Sequence, residues 1–426
     1  MLVCSTAMAG VNYEEAPINY SASTPENRIT TLQRQLAEGK IKLRFEQVGG
    51  YVPSLLKELD IPVSSQVLVF SKTSLQDHCI GPKSPRAIYF NDDIFVGFVQ
   101  EGMIEIAITD PRLGKVFYTM DQDSQSSPEF RRRTNNCLNC HGGARTKNVP
   151  GLLVRSVHPD PGGRPVVAAG SFLTTHASLL SQRWGGWYVT GTHGRQSHLG
   201  NFTLPDSRKP KTIDNGAGQN VIDLKDRFDV GRYLTPHSDL VSLMVLEHQS
   251  ETHNLITTVN FETRYALHQQ ANEVQAAKTV DDDVVRGEVI RQMEKTIEAV
   301  VRQLLFQAEA PLSDSVAGTS RFSREFSARG PRDRQGRSLR EFDLTRRMFR
   351  YPCSYLVYSE AFQALPEVAR SAIYRRIGQI LTANDLPDDF AHLSSVDRAA
   401  IHEILIDTIA EYRAIDSRTA DHPRAP

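Results

Sequence analysis

The chain of 426 residues is short of several things at once. It has no run of apolar residues long enough to cross a bilayer, which takes about 20 in succession. It has no excess of either charge. Lys and Arg number 49 and Asp and Glu 50, so the basic surplus expected of a nucleic-acid binder is missing. Tryptophan occurs twice and cysteine five times, and we find no internal repeat. Three of the cysteines, Cys4, Cys79 and Cys353, stand alone. A four-ligand zinc knuckle needs two closely spaced pairs, and only one pair exists.

That pair lies in Asn136-Cys137-Leu138-Asn139-Cys140-His141-Gly142-Gly143. Cys-x-x-Cys-His is the attachment signature of a c-type haem. Two thiols at this spacing on a helical turn can add to the two vinyl groups of one haem c. The next residue, His141, then supplies an imidazole to the iron. The two glycines let the chain turn away from the porphyrin edge. Half of a zinc site or a pair of free thiols are the competing readings. Cys79 and Cys353 are open to either a disulfide or two separate thiols.

C-type haem is attached outside the cytoplasm, so a periplasmic or otherwise exported protein is expected. Ala7-Met8-Ala9 has the small-x-small look of a cleavage site, although residues 1–10 lack a basic start and a full apolar core. The expectation is a signal peptide whose true start lies upstream.

The patterning predicts an α+β fold with a small antiparallel β region, an irregular haem-binding middle and a largely helical C-terminal half. The expected divisions are an exposed arm or residual signal over 1–23, a helix plus strands over 24–136, a haem-binding region over 137–270 and a helical region over 271–426. Thr24-Pro25 is expected to open a first helix that ends at Gly39, with a second near 54–59. Period-two runs predict strands at 67–70, 87–90, 94–99, 103–109 and 116–120. Further strands are expected at 152–157 and 165–169. Helices are expected from Ser238 or Asp239 to about 270, then over 282–307, 355–364, 366–382 and 397–413, with 415–426 frayed.

Other residues are drawn towards the haem by their chemistry. Arg133 closely precedes Cys137 and is a candidate partner for a propionate. Trp184 and Trp187, in a segment rich in Gly, His and aromatics, are candidate pocket walls. His193, His198 and His248 are the preferred candidates for a distal iron ligand, with His176, His253, Met120 and Met244 behind them. Seven arginines between 321 and 340 suggest either a solvated loop or a site for an anion or an acidic partner.

Several stretches resemble a group of large bacterial cytochrome c-like proteins: SPRAIYFNDDIFVGFVQ (84–100), VFYTMDQ (116–122), CLNCH (137–141), RWGGWYVTGTHG (183–194), HLGN (198–201), SDLVSLMVLEHQ (238–249), HNLIT (253–257) and GRSLREFDLTRRMFRYPCSYLVYS (336–359). The resemblance implies one haem c in an exported protein. It brings no activity and no sixth iron ligand. In that group Leu often replaces Met120.

Three functions remain in view. The first is electron transfer to a redox partner protein. The second is a haem-dependent, peroxidase-like oxidoreductase with an open iron position. The third is a haem-based redox or gas sensor.

Overall fold

The structure, a computed structural model, describes residues 11–125, 127–206, 214–277 and 282–421. Residues 1–10, with the expected signal remnant and Cys4, lie outside the described residues.

The first helix, α1 (Arg28–Ala37), begins three residues after the Thr24-Pro25 pair. The side chain of Asn27 accepts from the backbone of Ile29 and Thr30, and Thr30 Oγ1 accepts from the backbone N–H of Asn27. This reciprocal cap outcompetes the Thr-Pro signal. The segment before it, largely exposed as expected, is anchored at two residues. Ile18 and Tyr20 are buried, and the Tyr20 hydroxyl donates to the Lys115 carbonyl at 2.8 Å. A second helix, α2 (Val52–Glu58), leads to the sheet.

Strands β1 (Val67–Val69), β2 (Arg86–Phe90), β3 (Ile94–Phe98), β4 (Ile104–Asp110), β5 (Gly114–Met120) and β6 (Arg131–Arg133) form an antiparallel meander. After the short helix α3 (Leu138–His141) come the hairpin of β7 (Arg155–Val157) and β8 (Ser171–Leu173), then β9 (Trp187–Tyr188) and β10 (Gly191–Thr192). Strand β9 pairs with β1 and closes a seven-stranded sheet in the order β6-β5-β4-β3-β2-β1-β9. The strand expected at 165–169 is not one. Val167–Ala169 is a 3-10 turn, because Ala169 N bonds back to Val166 O.

One face of the sheet packs on the N-terminal helices through Leu68, Tyr89, Val96, Ile106 and Met120, among others. The other face carries Val69, Phe95, Ala107 and Phe117 and meets α4 (Leu240–Ala277). That helix starts where Asp239 Oδ1 accepts from the backbone of Val241 and Ser242. It packs on α5 (Asp282–Leu304), which packs in turn on α8 (Glu367–Leu381). Between α5 and α8 lie β11 (Ala317–Gly318), which pairs with β10, and the short helices α6 (Phe322–Ser327) and α7 (Glu360–Gln363).

The helix expected at 355–364 is divided. A 3-10 turn, Tyr355–Tyr358, ends at Ser359, whose hydroxyl caps α7. The helix expected at 397–413 breaks at Ile409, which is extended, into α9 (Ser395–Thr408) and α10 (Ala410–Asp421). Helix thus runs on to Asp421 where fraying was expected.

The architecture is α+β, with an antiparallel sheet in the first part and helices dominating the last. No helix among the described residues is long and apolar enough to cross a membrane.

Candidate functional site: a cavity between the sheet and the cysteine turn

Side chains alternate across a strand, so one sheet face gathers every second residue of each strand. On β2 to β6 that face presents Arg86 and Ile88, Phe95 and Gly97, Glu105 and Ala107, Phe117 and Thr119, and Arg133. All of them line one cavity of about 1520 Å³. Ligand pockets commonly measure about 300–1,000 Å³, so this one is large. The facing wall is the cysteine turn, with Cys137, Cys140 and His141, followed by residues 152–155 and Trp187. Leu246 and Ser250 of α4 close the back.

The cysteine turn is helical for a local reason. The Cys137 carbonyl accepts from Cys140 N at 3.2 Å and from His141 N at 2.9 Å. Gly142 N returns to Leu138 O, and the chain then leaves through the two glycines. Gly151 holds His141 twice: its N–H donates to the His141 carbonyl at 2.8 Å, and its carbonyl lies 3.0 Å from His141 Nδ1. A carbonyl can only accept, so Nδ1 carries the proton and Nε2 keeps its lone pair. Phe117 packs on the ring, with centroids 5.2 Å apart. Burial lowers the imidazole pKa, and the Gly151 hydrogen bond only partly offsets it, so the ring stays neutral. A neutral imidazole fixed by a backbone carbonyl on its far nitrogen is the usual form of a metal-bound histidine.

Asn254 of α4 holds this loop in place. Its Oδ1 accepts from Leu152 N at 2.9 Å and its Nδ2 donates to Leu152 O at 2.7 Å. The floor is apolar at Ile88, Phe95, Ala107 and Phe117, and guanidiniums stand around it. Arg86 pairs with Glu105 at 2.7 Å. Burial pushes the Glu105 pKa up, but Arg86, Gln76 and Ser74 outweigh it and hold the carboxyl ionised. Among the described residues, Arg133 donates from Nε to the Thr119 hydroxyl at 2.8 Å. The Cys137 thiol is pushed up by burial and then by Glu105, which keeps it protonated rather than thiolate. Among the described residues no three His, Cys, Asp or Glu side chains are grouped as a metal ion would need.

The structure brings together Cys137, Cys140, His141, Arg133 and Trp187. It leaves out the expected distal ligands. His193 and His198 sit against each other, with rings 4.8 Å apart. One nitrogen of each is engaged: His193 Nε2 accepts from Asn220 N at 3.1 Å, and His198 Nδ1 from Gly200 N at 3.0 Å. Trp184 is fully buried against His198, away from the cavity. His248 lies in the helical core, stacked on Phe306. Its Nδ1 is 3.1 Å from His176 Nδ1 and its Nε2 2.7 Å from Ser354 Oγ. His253 Nε2 donates to the Asp92 carbonyl. Met120 and Met244 are packed into the two cores. None of these lines the cavity.

The cavity does hold two donors that sequence reasoning passed over, His78 and Met103. Nothing in their local sequence marks them; only the folding of the 70s loop against the start of β4 places them there. The arginine-rich stretch is mostly tied internally, with Arg329 to Asp60, Arg332 to Glu341, Arg334 to Asp407, Arg337 to Asp333, and Arg340 to Asp92. Cys79 and Cys353 are separate free thiols.

Comparison with known proteins gives no family model, no curated relative and no solved structure that matches this chain.

Proposed function

We propose that the chain binds one haem c through Cys137, Cys140 and His141, and that it is an exported protein transferring electrons to and from a redox partner. The observation that carries this is the Gly151 clamp on His141: it frees Nε2 on the wall of a large, apolar-floored cavity that both thiols also line. When bound, the haem would supply a one-electron couple at its iron. Cys137 and Cys140 would tether it, His141 would hold the iron from one side, and Phe117 would fix the ring plane. Arg133, whose Nε donates to the Thr119 hydroxyl, would turn its remaining guanidinium N–H groups to a propionate. His78 and Met103 replace His193, His198 and His248 as the candidate sixth ligands.

The cavity volume favours a second reading, a haem-dependent oxidoreductase in which part of the space receives a substrate. Carbon monoxide separates the two. A carrier with His78 or Met103 on the iron gives a low-spin spectrum that carbon monoxide leaves unchanged. An enzyme with a vacant position binds the gas. The haem itself is tested by the pyridine haemochrome of protein exported with the cytochrome c assembly machinery. The wild type should give the band of a haem with both vinyls saturated, and Cys137→Ser or Cys140→Ser the band of one. A zinc content with no haemochrome would overturn the proposal.

A further inference from the structure

Three of the cavity's guanidiniums, those of Arg133, Arg145 and Arg155, have no acid partner among the described residues, and of these Arg133 is held by the Thr119 hydroxyl. Arg145 follows His141 by four residues, on the 3-10 turn Ala144–Thr146. Arg155 opens β7, and its backbone is fixed by the Trp187 indole N–H, which donates to the Arg155 carbonyl at 2.8 Å. Both line the cavity, as does Cys140. The other arginines there are engaged: Arg86 by Glu105, Arg232 by Glu101 and Arg133 by the Thr119 hydroxyl. Glu251, an acid of α4, is taken by Lys147 at 2.7 Å. Arg155 has only one long contact, 3.5 Å from Nη2 to Ser171 Oγ, and Arg145 has no side-chain partner among the described residues.

We infer that Arg145 and Arg155 form a carboxylate site on the cavity wall, next to the cysteine turn. Two guanidiniums that line one cavity, with no acid paired to either among the described residues, favour an anion there. Burial, and then the neighbouring Arg145, lower the Arg155 pKa. A fork of guanidinium donors suits the planar, two-oxygen face of a carboxylate. The inference rests on the haem reading for one of its two sources. The carboxylate is either a propionate of the tethered haem or a free carboxylate entering the same cavity.

The test compares the wild type with Arg145→Gln/Arg155→Gln and with Arg155→Lys, all at equal haem content by haemochrome. If the site holds a propionate, the wild-type reduction potential is flat across the mildly acidic range. The double variant then becomes pH-dependent there, because an unpaired propionate titrates, and Arg155→Lys falls between. If the site holds a free carboxylate, acetate shifts the wild-type spectrum saturably. The double variant then loses roughly tenfold or more in acetate affinity, as expected for removing charge-assisted hydrogen bonds. Fully haem-loaded variants with unchanged pH dependence and unchanged acetate response would overturn the inference while leaving the haem reading intact. A colourless wild type would remove the propionate source, and only saturable acetate binding by that protein, lost in the double variant, would then sustain the site.

Discussion

At the scale of single residues, the site depends on how His141 is held. Gly151 has no side chain, and a Cβ there would press on the Asn254 side chain. Gly151→Ala should therefore displace the carbonyl that fixes Nδ1. Weakening that bond makes the imidazole a poorer donor to iron, so the reduction potential should rise. Spectro-electrochemical titration reads this, and an unchanged potential would show that the clamp does not tune the ligand.

The buried histidines give a second residue-scale prediction. Burial lowers the His176 pKa from 6.5 to about 4. Between those values the unfolded chain binds a proton that the folded chain refuses. Stability from this group is thus complete above pH 6.5 and is lost as pH falls towards 4, by on the order of 3 kcal/mol. Glu247 works the other way, since burial pushes it up to about 7 despite Arg183. The difference between wild type and His176→Gln isolates the histidine. Urea melts at pH 7 and pH 5 should show a smaller acid-induced loss in the variant; equal losses would contradict it.

The sequence was readable here only in part. Cys137, Cys140 and His141 stood out because their spacing is local and chemically specific. His193, His198 and His248 stood out for the wrong reason, as polar rings in aromatic surroundings. Each has at least one ring nitrogen taken by backbone or a neighbouring ring, which no linear pattern reveals. His78 and Met103 were invisible because only tertiary folding brings them to the cavity.

At the scale of elements, α4 does the most. It backs the cavity through Leu246 and Ser250, and through Asn254 it holds the loop that holds His141. Asn254→Ala removes both hydrogen bonds to Leu152 and should cost about 1–3 kcal/mol. Thermal melts should show the loss, and a melting temperature equal to the wild type's would mean that the loop holds itself. The meander strands β1 to β5 and the long helices were legible, because alternation over residues 104–108 and apolar recurrence along the helices are local signals, whereas β6 and the short strands β8 to β11 were not anticipated and the strand expected at 165–169 is a 3-10 turn. The ends were less legible. Asn27, Ser359 and Ile409 moved or split helices through side-chain caps and a single extended residue, against which apolar period says nothing.

At the scale of the molecule, one apolar core runs from Val67 and Phe117 in the sheet through α4 and α5 to Tyr412 in α10. Sheet, cysteine turn and helices therefore share their burial. Scanning calorimetry should give one transition for the folded chain, and two separated ones would show that the helical part stands apart. The same continuity explains why the cavity escaped the sequence: its walls come from residues as far apart as Phe45 and Ser250.

The central claim concerns a covalent bond, and intact mass reads it most directly. Protein exported alongside the cytochrome c assembly machinery should be red and heavier than its polypeptide by one haem. Replacing both Cys137 and Cys140 should return it to the polypeptide mass. A colourless wild type at the mass of the bare chain would contradict the account.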